Sequence, residues 1–420
     1  MIVDSFIQTN QKTKIQNQII MKNFTKTFIF LLLTSIIVTP SYSQEEGEYI
    51  NRNAQVTLFP PVGTNGPDAR ECVNKLSVNL LWGVSAGLQG IELGVVANLE
   101  RDFVKGVQLA GFANITGGTV TGGQLSGFMN VSKNLSGVSL AGFMAISRDV
   151  LGLQGSGFMN LAKDATGAQV SGFMNIAEGV KGAQLTDFMN IAENVTGAQV
   201  SGFMNMSGDT KGAQVAGFMN TADEITGAQV SGFINVADNV RGTQIGFINI
   251  ADNYEKGVPI GFINIVKRGY HVWEIAGSEI WNLNFGYRLG VDRLYTQFMV
   301  GANWDKDSKF WGFGVGVGSR FGITHYFKGS VDFTSYQIIE RHHMYAKTPN
   351  LLEQLRFTVE GRFFGSLKWF VGPTFNLLFV PYRYPEPTFL ENITPWTVYE
   401  SVSGFSHVKM WPGVSGGIRF

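Results

Sequence analysis

The chain has 420 residues, a formal net charge of zero and only 15% charged residues, so there is no basic excess and no nucleic-acid partner is expected. Gly (52 residues) and Phe (33 residues) are abundant, which fits β-rich and membrane-barrel proteins better than a soluble helical enzyme. Cys72 is the only cysteine, which excludes an internal disulfide and a cysteine-based metal site.

Residues 1–20 are polar and rich in Gln and Asn, and read as an untranslated or non-structural extension. From Met21 the pattern changes to Lys22 and Lys26, the apolar run FIFLLLTSIIVT, and then Ser41-Tyr42-Ser43. A basic region, an apolar core and small residues are the parts of an export signal, expected over 21–43. The run is short for a membrane-spanning helix, a retained anchor being the alternative. Translation from Met21 and a mature chain from near Gln44 are expected. No Cys follows the cleavage site, so a lipoprotein is not. Residues 44–75 form an N-terminal segment, and Leu76–Ala86 is expected to be the first strand of a barrel.

Residues 90–269 hold a repeat with the consensus G-x-Q-h-S-G-F-M-N-h-A-x-N-h-x, where h is apolar. Phe fills the seventh place in Phe112, Phe128, Phe143, Phe158, Phe173, Phe188, Phe203, Phe218, Phe233, Phe247 and Phe262. Asn follows two places later in all of these copies but one, which has Ala145. A short fixed period is the mark of a solenoid or of a barrel meander. Neighbouring barrel strands run antiparallel, so a duplicated barrel should repeat in two-strand units of about thirty residues. A period of fifteen with all copies alike favours parallel coils stacked in register, where Asn and Gln form amide ladders and Phe stacks on Phe. The expected ladder includes Phe128, Asn130, Phe173, Asn175, Phe203, Asn205, Phe233 and Asn235. The fourth, eighth and tenth places are expected to fill the core.

Residues 270–420 alternate as strands with one apolar face. In FWGFGVGVGSRFGI, Trp311, Phe313, Val315, Val317, Phe321 and Ile323 share a side. Strands are expected at Trp281–Leu289, Thr296–Trp304, Trp311–Ile323, Phe327–Ser335, Leu355–Phe363, Leu367–Phe379 and Met410–Phe420. With Leu76–Ala86 this makes a barrel of about eight strands, filled by its own side chains and without an open channel. The gaps after Leu289, Ile323 and Phe363 are tight and those after Ser335 and Phe379 are long, as with short periplasmic turns and long outer loops. The lumen is expected to hold Arg288, Lys328, Asp332, Arg320, Arg356, Glu360, Arg362 and Lys368, with opposite charges paired. The solenoid, inserted between the first and second barrel strands, would then face the cell exterior.

The export signal, the G-x-Q-h-x-G-F-x-N repeats and a final strand VSGGIRF ending in Phe420 resemble the surface-repeat outer-membrane proteins of Gram-negative bacteria, Bacteroidota in particular. The resemblance covers the chain from about Gln55 to Phe420. It implies an outer-membrane location and no established chemistry, so it brings no catalytic residue.

A search for chemistry returns little. His342-His343 has no accompanying carboxylate spacing, and no HExxH is present. His271, Glu274 and Ser278 lie close in sequence, but no nucleophile elbow accompanies them. The twelfth repeat place runs Lys133, Arg148, Lys163, Glu178, Glu193, Gly208, Asp223, Asp238, Asp252, read as a solvated stripe with a weak calcium stripe as the alternative. The expectation is therefore an all-β protein, a 15-residue-repeat β-solenoid with a small outer-membrane β-barrel. No catalysis, cofactor or metal site is expected. The expected partners are the lipid bilayer and a surface partner or glycan. Two alternatives stay open: a larger barrel with the repeats as strands, acting as a porin-like channel, and an outer-membrane enzyme using its outer loops.

Overall fold

The computed structural model describes residues 49–304, 309–340, 350–381, 393–394, 396–404 and 406–420. The expected export signal and His342-His343 lie outside them. Among the described residues the chain is built from strands, with one short 3-10 helix, Gly66–Glu71.

The repeats form a parallel β-solenoid of about 13 turns. Each strand pairs with the next one residue for like residue: Met174 with Met189, Asn175 with Asn190, Gly182 with Gly197, Gln184 with Gln199. At about 4.8 Å per turn the stack is on the order of 60 Å long. This register excludes the repeats as barrel staves, and with them the larger porin-like barrel.

Glycine at the first repeat place has a structural cause. Gly182 has φ of +132°, and a Cβ there would collide with the carbonyl oxygen of Gly167 in the coil below. Only glycine allows both the backbone angle and the close approach.

Alternation decides which repeat places point inward. Gln at the third place faces in, the apolar fourth place faces out, and Ser at the fifth faces in again, as Gln169, Val170 and Ser171 show. The fourth place therefore belongs to the surface, contrary to the sequence expectation. The apolar half of the core comes from the eleventh and fourteenth places, with Ala177, Val180, Ala192 and Val195 continuing the column of Leu88, Val104, Val120, Leu135 and Val150. Each such Val or Leu contributes about 1.5–3 kcal/mol relative to exposure.

The strand Leu76–Ala86 expected in the barrel is instead solenoid. Cys72–Asn79 and Trp82–Gly94 pair parallel to each other and to their neighbours as the first coils. A solenoid coil alternates like a barrel strand, so one segment alone does not distinguish them.

The barrel begins after the solenoid ends. Its strands are Tyr270–Ser278, Leu283–Val291, Leu294–Asn303, Phe310–Gly322, Phe327–Glu340, Asn350–Phe364, Leu367–Pro381 and Ser406–Arg419, each antiparallel to the next. Tyr270–Ser278 pairs with Ser406–Arg419 through Glu274 to Arg419 and Ser278 to Ser415, which closes the cylinder. With an even number of strands, the entry at Tyr270 and the final Phe420 lie at the same end. That end carries the tight turns between Val291 and Leu294 and between Phe364 and Leu367. The solenoid thus joins the barrel at the short-turn end, and the premise for an exterior array, a barrel strand preceding it, is gone.

The barrel is inverted in polarity. Phe285, Val300, Phe313, Phe333, Phe357, Phe375 and Val414 are exposed on the outer wall, while Glu274, Arg288, Asp332, Arg356 and Arg419 are buried inside. A water-soluble fold places these classes the other way round.

Candidate functional sites in the lumen and along the solenoid

Two layers fill the lumen. Toward the long connections, Ile280, Trp281, Met299, Phe310, Tyr336, Ile338, Leu352, Leu378 and Trp411 form a buried apolar plug. Toward the short turns lies a charge cluster centred on Glu274, which contacts Arg288 at 2.6 Å, Arg356 at 2.7 Å and Arg419 at 2.8 Å. Asp332 receives Arg288 at 2.9 Å and the Tyr295 hydroxyl at 2.5 Å. Glu360 pairs with Arg419 at 2.8 Å and with Arg320, which reaches Asp292 at the rim at 2.9 Å. These four arginines face four acids, and each buried member has two or more partners. Such multiple pairing offsets the desolvation of the charges, while Arg288 Nε and Arg356 Nη2 have no hydrogen-bond acceptor among the described residues. The Arg419 guanidinium also lies 4.1 Å from the centre of the Phe370 ring.

Of the lumen charges expected from sequence, Arg288, Arg320, Asp332, Arg356 and Glu360 are in this cluster. Arg362 is not: the ladder is irregular between Arg362 and Phe364, and Arg362 is exposed beside the turn. Lys368 is half-buried at the same mouth, where its strand pairs Lys368 with Arg362 on one side and Arg419 on the other. Lys328 sits at the rim, 3.5 Å from Asp292. Sequence reasoning missed the hub, Glu274, and its partner Arg419. The available signal was the alternation in YHVWEIAGS, with Tyr270, Val272 and Glu274 on one side.

The same alternation separates His271 from Glu274. His271 points out of the wall, with its Nδ1 3.3 Å from the Tyr287 hydroxyl and its Nε2 on the Val266 carbonyl oxygen. The Ser278 hydroxyl accepts from the backbone N–H groups of Ile280 and Trp281 and so closes a turn. These three residues form no catalytic constellation. Among the described residues no group of three His, Cys, Asp or Glu could hold a metal ion.

Inside the solenoid, the sequence-expected ladder residues stack in columns. Asn175 donates to Asn190 Oδ1 at 2.9 Å and to the Leu185 carbonyl at 2.8 Å; Asn190 and Asn205 repeat both bonds one coil further on. Gln184, Gln199 and Gln214 form a second column with amide bonds of 2.8–2.9 Å. Asn235 continues the asparagine column, whereas Asn130 ends a separate run through Asn98 and Asn114, cut off by Ala145 in the next coil. Phe128, Phe173, Phe203 and Phe233 belong to an unbroken ring stack from Phe112 to Phe262, with Phe173 and Phe188 4.8 Å apart.

One interior site breaks the amide rule. Glu92 stands where later coils have Gln, in register with Gln108, and accepts from Asn79 and Gln108 at 2.8 Å each. Glu100, in register with Thr116, accepts from Ser85 at 2.6 Å. Burial pushes both carboxyl groups up, and the charge of Glu92 pushes Glu100 up further. The sequence signal was the degenerate copy GIELGVVANLE, which carries acids at amide and hydroxyl places.

The solenoid ends on the barrel's outer wall. Asn264 of the last coil donates to the Thr296 hydroxyl at 3.0 Å, and the Phe262 ring meets Phe298 edge-on at 5.7 Å. Thr296 and Phe298 alternate with the lumen residues Tyr295 and Gln297, so both point outward. In comparison with known proteins, the chain matches no protein-family model, no curated protein and no solved structure.

Proposed function

We propose that this is an outer-membrane protein in which a sealed barrel anchors a rigid solenoid on the periplasmic side, the solenoid serving as a structural or partner-binding surface without catalysis. The observation that carries the reading is the inverted polarity of the barrel, an apolar wall around a charge-paired, fully buried lumen. Water offers no reason to expose such a wall, whereas a bilayer does. The two filled layers leave the cylinder an anchor rather than a channel. Short turns face the periplasm in outer-membrane barrels, and the solenoid enters at the short-turn end. Its charged corner, with Lys133, Arg148, Asp209 and Lys211 exposed, offers the polar face for a protein or glycan partner.

The reading is tested by reconstituting the full chain into planar bilayers and vesicles. The expected outcome is co-flotation with the vesicles, a fold that resists extraction at alkaline pH, and no conductance. Loss of the protein from the vesicles on alkaline washing contradicts the anchor, and steady conductance contradicts the seal.

A further inference from the structure

The solenoid carries an apolar face that its own fold leaves uncovered. Fourth-place residues Leu125, Leu140, Val170, Leu185, Val200 and Val215 are each exposed by about two-fifths to a half, and so is most of the phenylalanine row from Phe112 to Phe262. The exposed apolar area is on the order of 1,000 Å², against a few hundred for a typical water-exposed surface. The face is also nearly free of charge, Asp187 being the exposed acid in its midst, at a place otherwise held by glycine. The charges lie instead around the twelfth to fifteenth places, as with Asp209, Lys181 and Lys211.

We infer that this face lies on the lipid bilayer, so that the solenoid is a membrane-surface rod rather than a projection into water. The inference rests on the barrel being membrane-embedded. Continuity selects lipid as the occupant. The phenylalanine row ends edge-on against Phe298, an outward residue of the barrel wall, two residues from the exposed Val300. The wall and the row therefore form one apolar surface, and whatever wets the wall reaches the row. Uniformity points the same way. Beyond an open groove lined by Leu93, Leu109 and Leu125 over the first coils, the face repeats one aromatic and, Gly155 apart, one branched aliphatic residue coil after coil, which varies too little in size to make distinct pockets for a protein partner's side chains. A fluid hydrocarbon needs no such pockets, and aromatic rings favour the interface between lipid and water.

The test uses the full chain in phosphatidylethanolamine–phosphatidylglycerol vesicles, with buried Cys72 replaced by Ala. A nitroxide is attached in turn at Val170→Cys and Val200→Cys on the apolar face, Thr196→Cys on the polar face, and Val300→Cys on the barrel wall. Collision rates are measured with oxygen, which concentrates in lipid, and with a water-soluble nickel chelate. The oxygen-to-nickel ratio at 170 and 200 is expected to match that at 300 and to exceed that at 196 by an order of magnitude. If 170 and 200 behave like 196 while 300 favours oxygen, the face is in water and the inference fails alone. If 170 and 200 are shielded from both reagents, a second copy or another protein covers the face, and the lipid assignment is overturned. If 300 also favours nickel, the membrane reading fails with it. The two face positions are independent, so a folding defect in one leaves the other to decide.

Discussion

The solenoid and the barrel are both closed β structures with polar interiors, yet they fill those interiors by opposite rules. In the solenoid the strands are parallel and offset by one repeat, so each side chain sits on its own counterpart. Only self-complementary groups can occupy such a column. An amide both donates and accepts, as Asn175, Asn190 and Asn205 do in succession, and a column of Val or Ala packs on itself. A column of charges would repel. In the barrel, antiparallel pairing brings unlike residues together, as Asp332 with Arg356 and Glu274 with Arg419. There the interior can be ionic, with four arginines against four acids. Strand direction thus decides the chemistry of the core. Glu92 and Glu100 show the rule from its exception, because burial pushes up the carboxyl groups of both acids in this parallel interior, and the charge of Glu92 pushes Glu100 up further.

The largest expected effect comes from breaking the ionic core. Glu274→Gln leaves Arg288, Arg356 and Arg419 short of one negative charge in a buried site. The expected loss is about 3–5 kcal/mol of barrel stability, read as a lower temperature for loss of heat-modifiable migration on gels. The solenoid's circular dichroism should hardly change. An unchanged barrel transition would mean that the lumen charges are not mutually dependent.

Breaking one rung of the neutral ladder should cost less. Asn190→Ala removes the donor to Asn205 and to the Val200 carbonyl, and the acceptor for Asn175. Each buried group left unpaired costs about 1–3 kcal/mol, and urea unfolding of the solenoid should report the loss. Leu or Met at this place should not restore it, whereas Gln at the neighbouring ladder's spacing should restore part.

Glu100→Gln reverses the sign. The fold holds the Glu100 proton more tightly than the unfolded chain does, so its stability is complete below pH 4.5 and is lost as the pH rises through the folded value. A neutral amide removes that dependence. The variant should unfold at higher urea than the parent at neutral pH and match it in acid. A parallel pH profile for the two proteins would contradict the protonated reading.

The smallest effect is expected for Phe203→Ala in detergent. Its ring stacks between Phe188 and Phe218 at 5.0 and 5.2 Å but remains 38% exposed. About 0.5–1.5 kcal/mol should be lost from the stack. If the face lies on lipid, the same substitution should cost more in vesicles than in detergent-free buffer with the barrel held in a nanodisc too narrow for the rod.

Much of this architecture was legible because repetition and alternation are properties of the chain itself. The fifteen-residue period and the barrel strands from Leu283–Val291 to Ser406–Arg419 follow from them within a few residues. Arg356 and Glu360 were placed in the lumen by parity alone, two and six residues from Gln354, which bonds Asn376 inside. The misses arise where the lumen ends or where parity is ambiguous. Arg362 keeps its register, paired with Lys368, but stands beside the turn, where it is exposed. At Leu76–Ala86 the alternation is real, but a strand does not encode whether its neighbour runs parallel. Taking that segment as a barrel strand hid Tyr270–Ser278, and with it Glu274, whose isolated acid in an apolar stretch has meaning only beside three arginines from three other strands. The expectation of an exterior array rested on the same segment. The fourth repeat place looked like core because an apolar residue recurs there, and hydrophobicity alone cannot separate a face buried by protein from one covered by lipid.

The side on which the solenoid stands tests the account most directly. A protease-cleavable tag is placed at Gly179, at the charged corner of a coil, and protease is added to intact cells and to cells whose outer membrane has been opened. Cleavage only after opening is the result expected of a solenoid joined at the short-turn end. Cleavage on intact cells would put the short turns outside and contradict the orientation on which the reading stands.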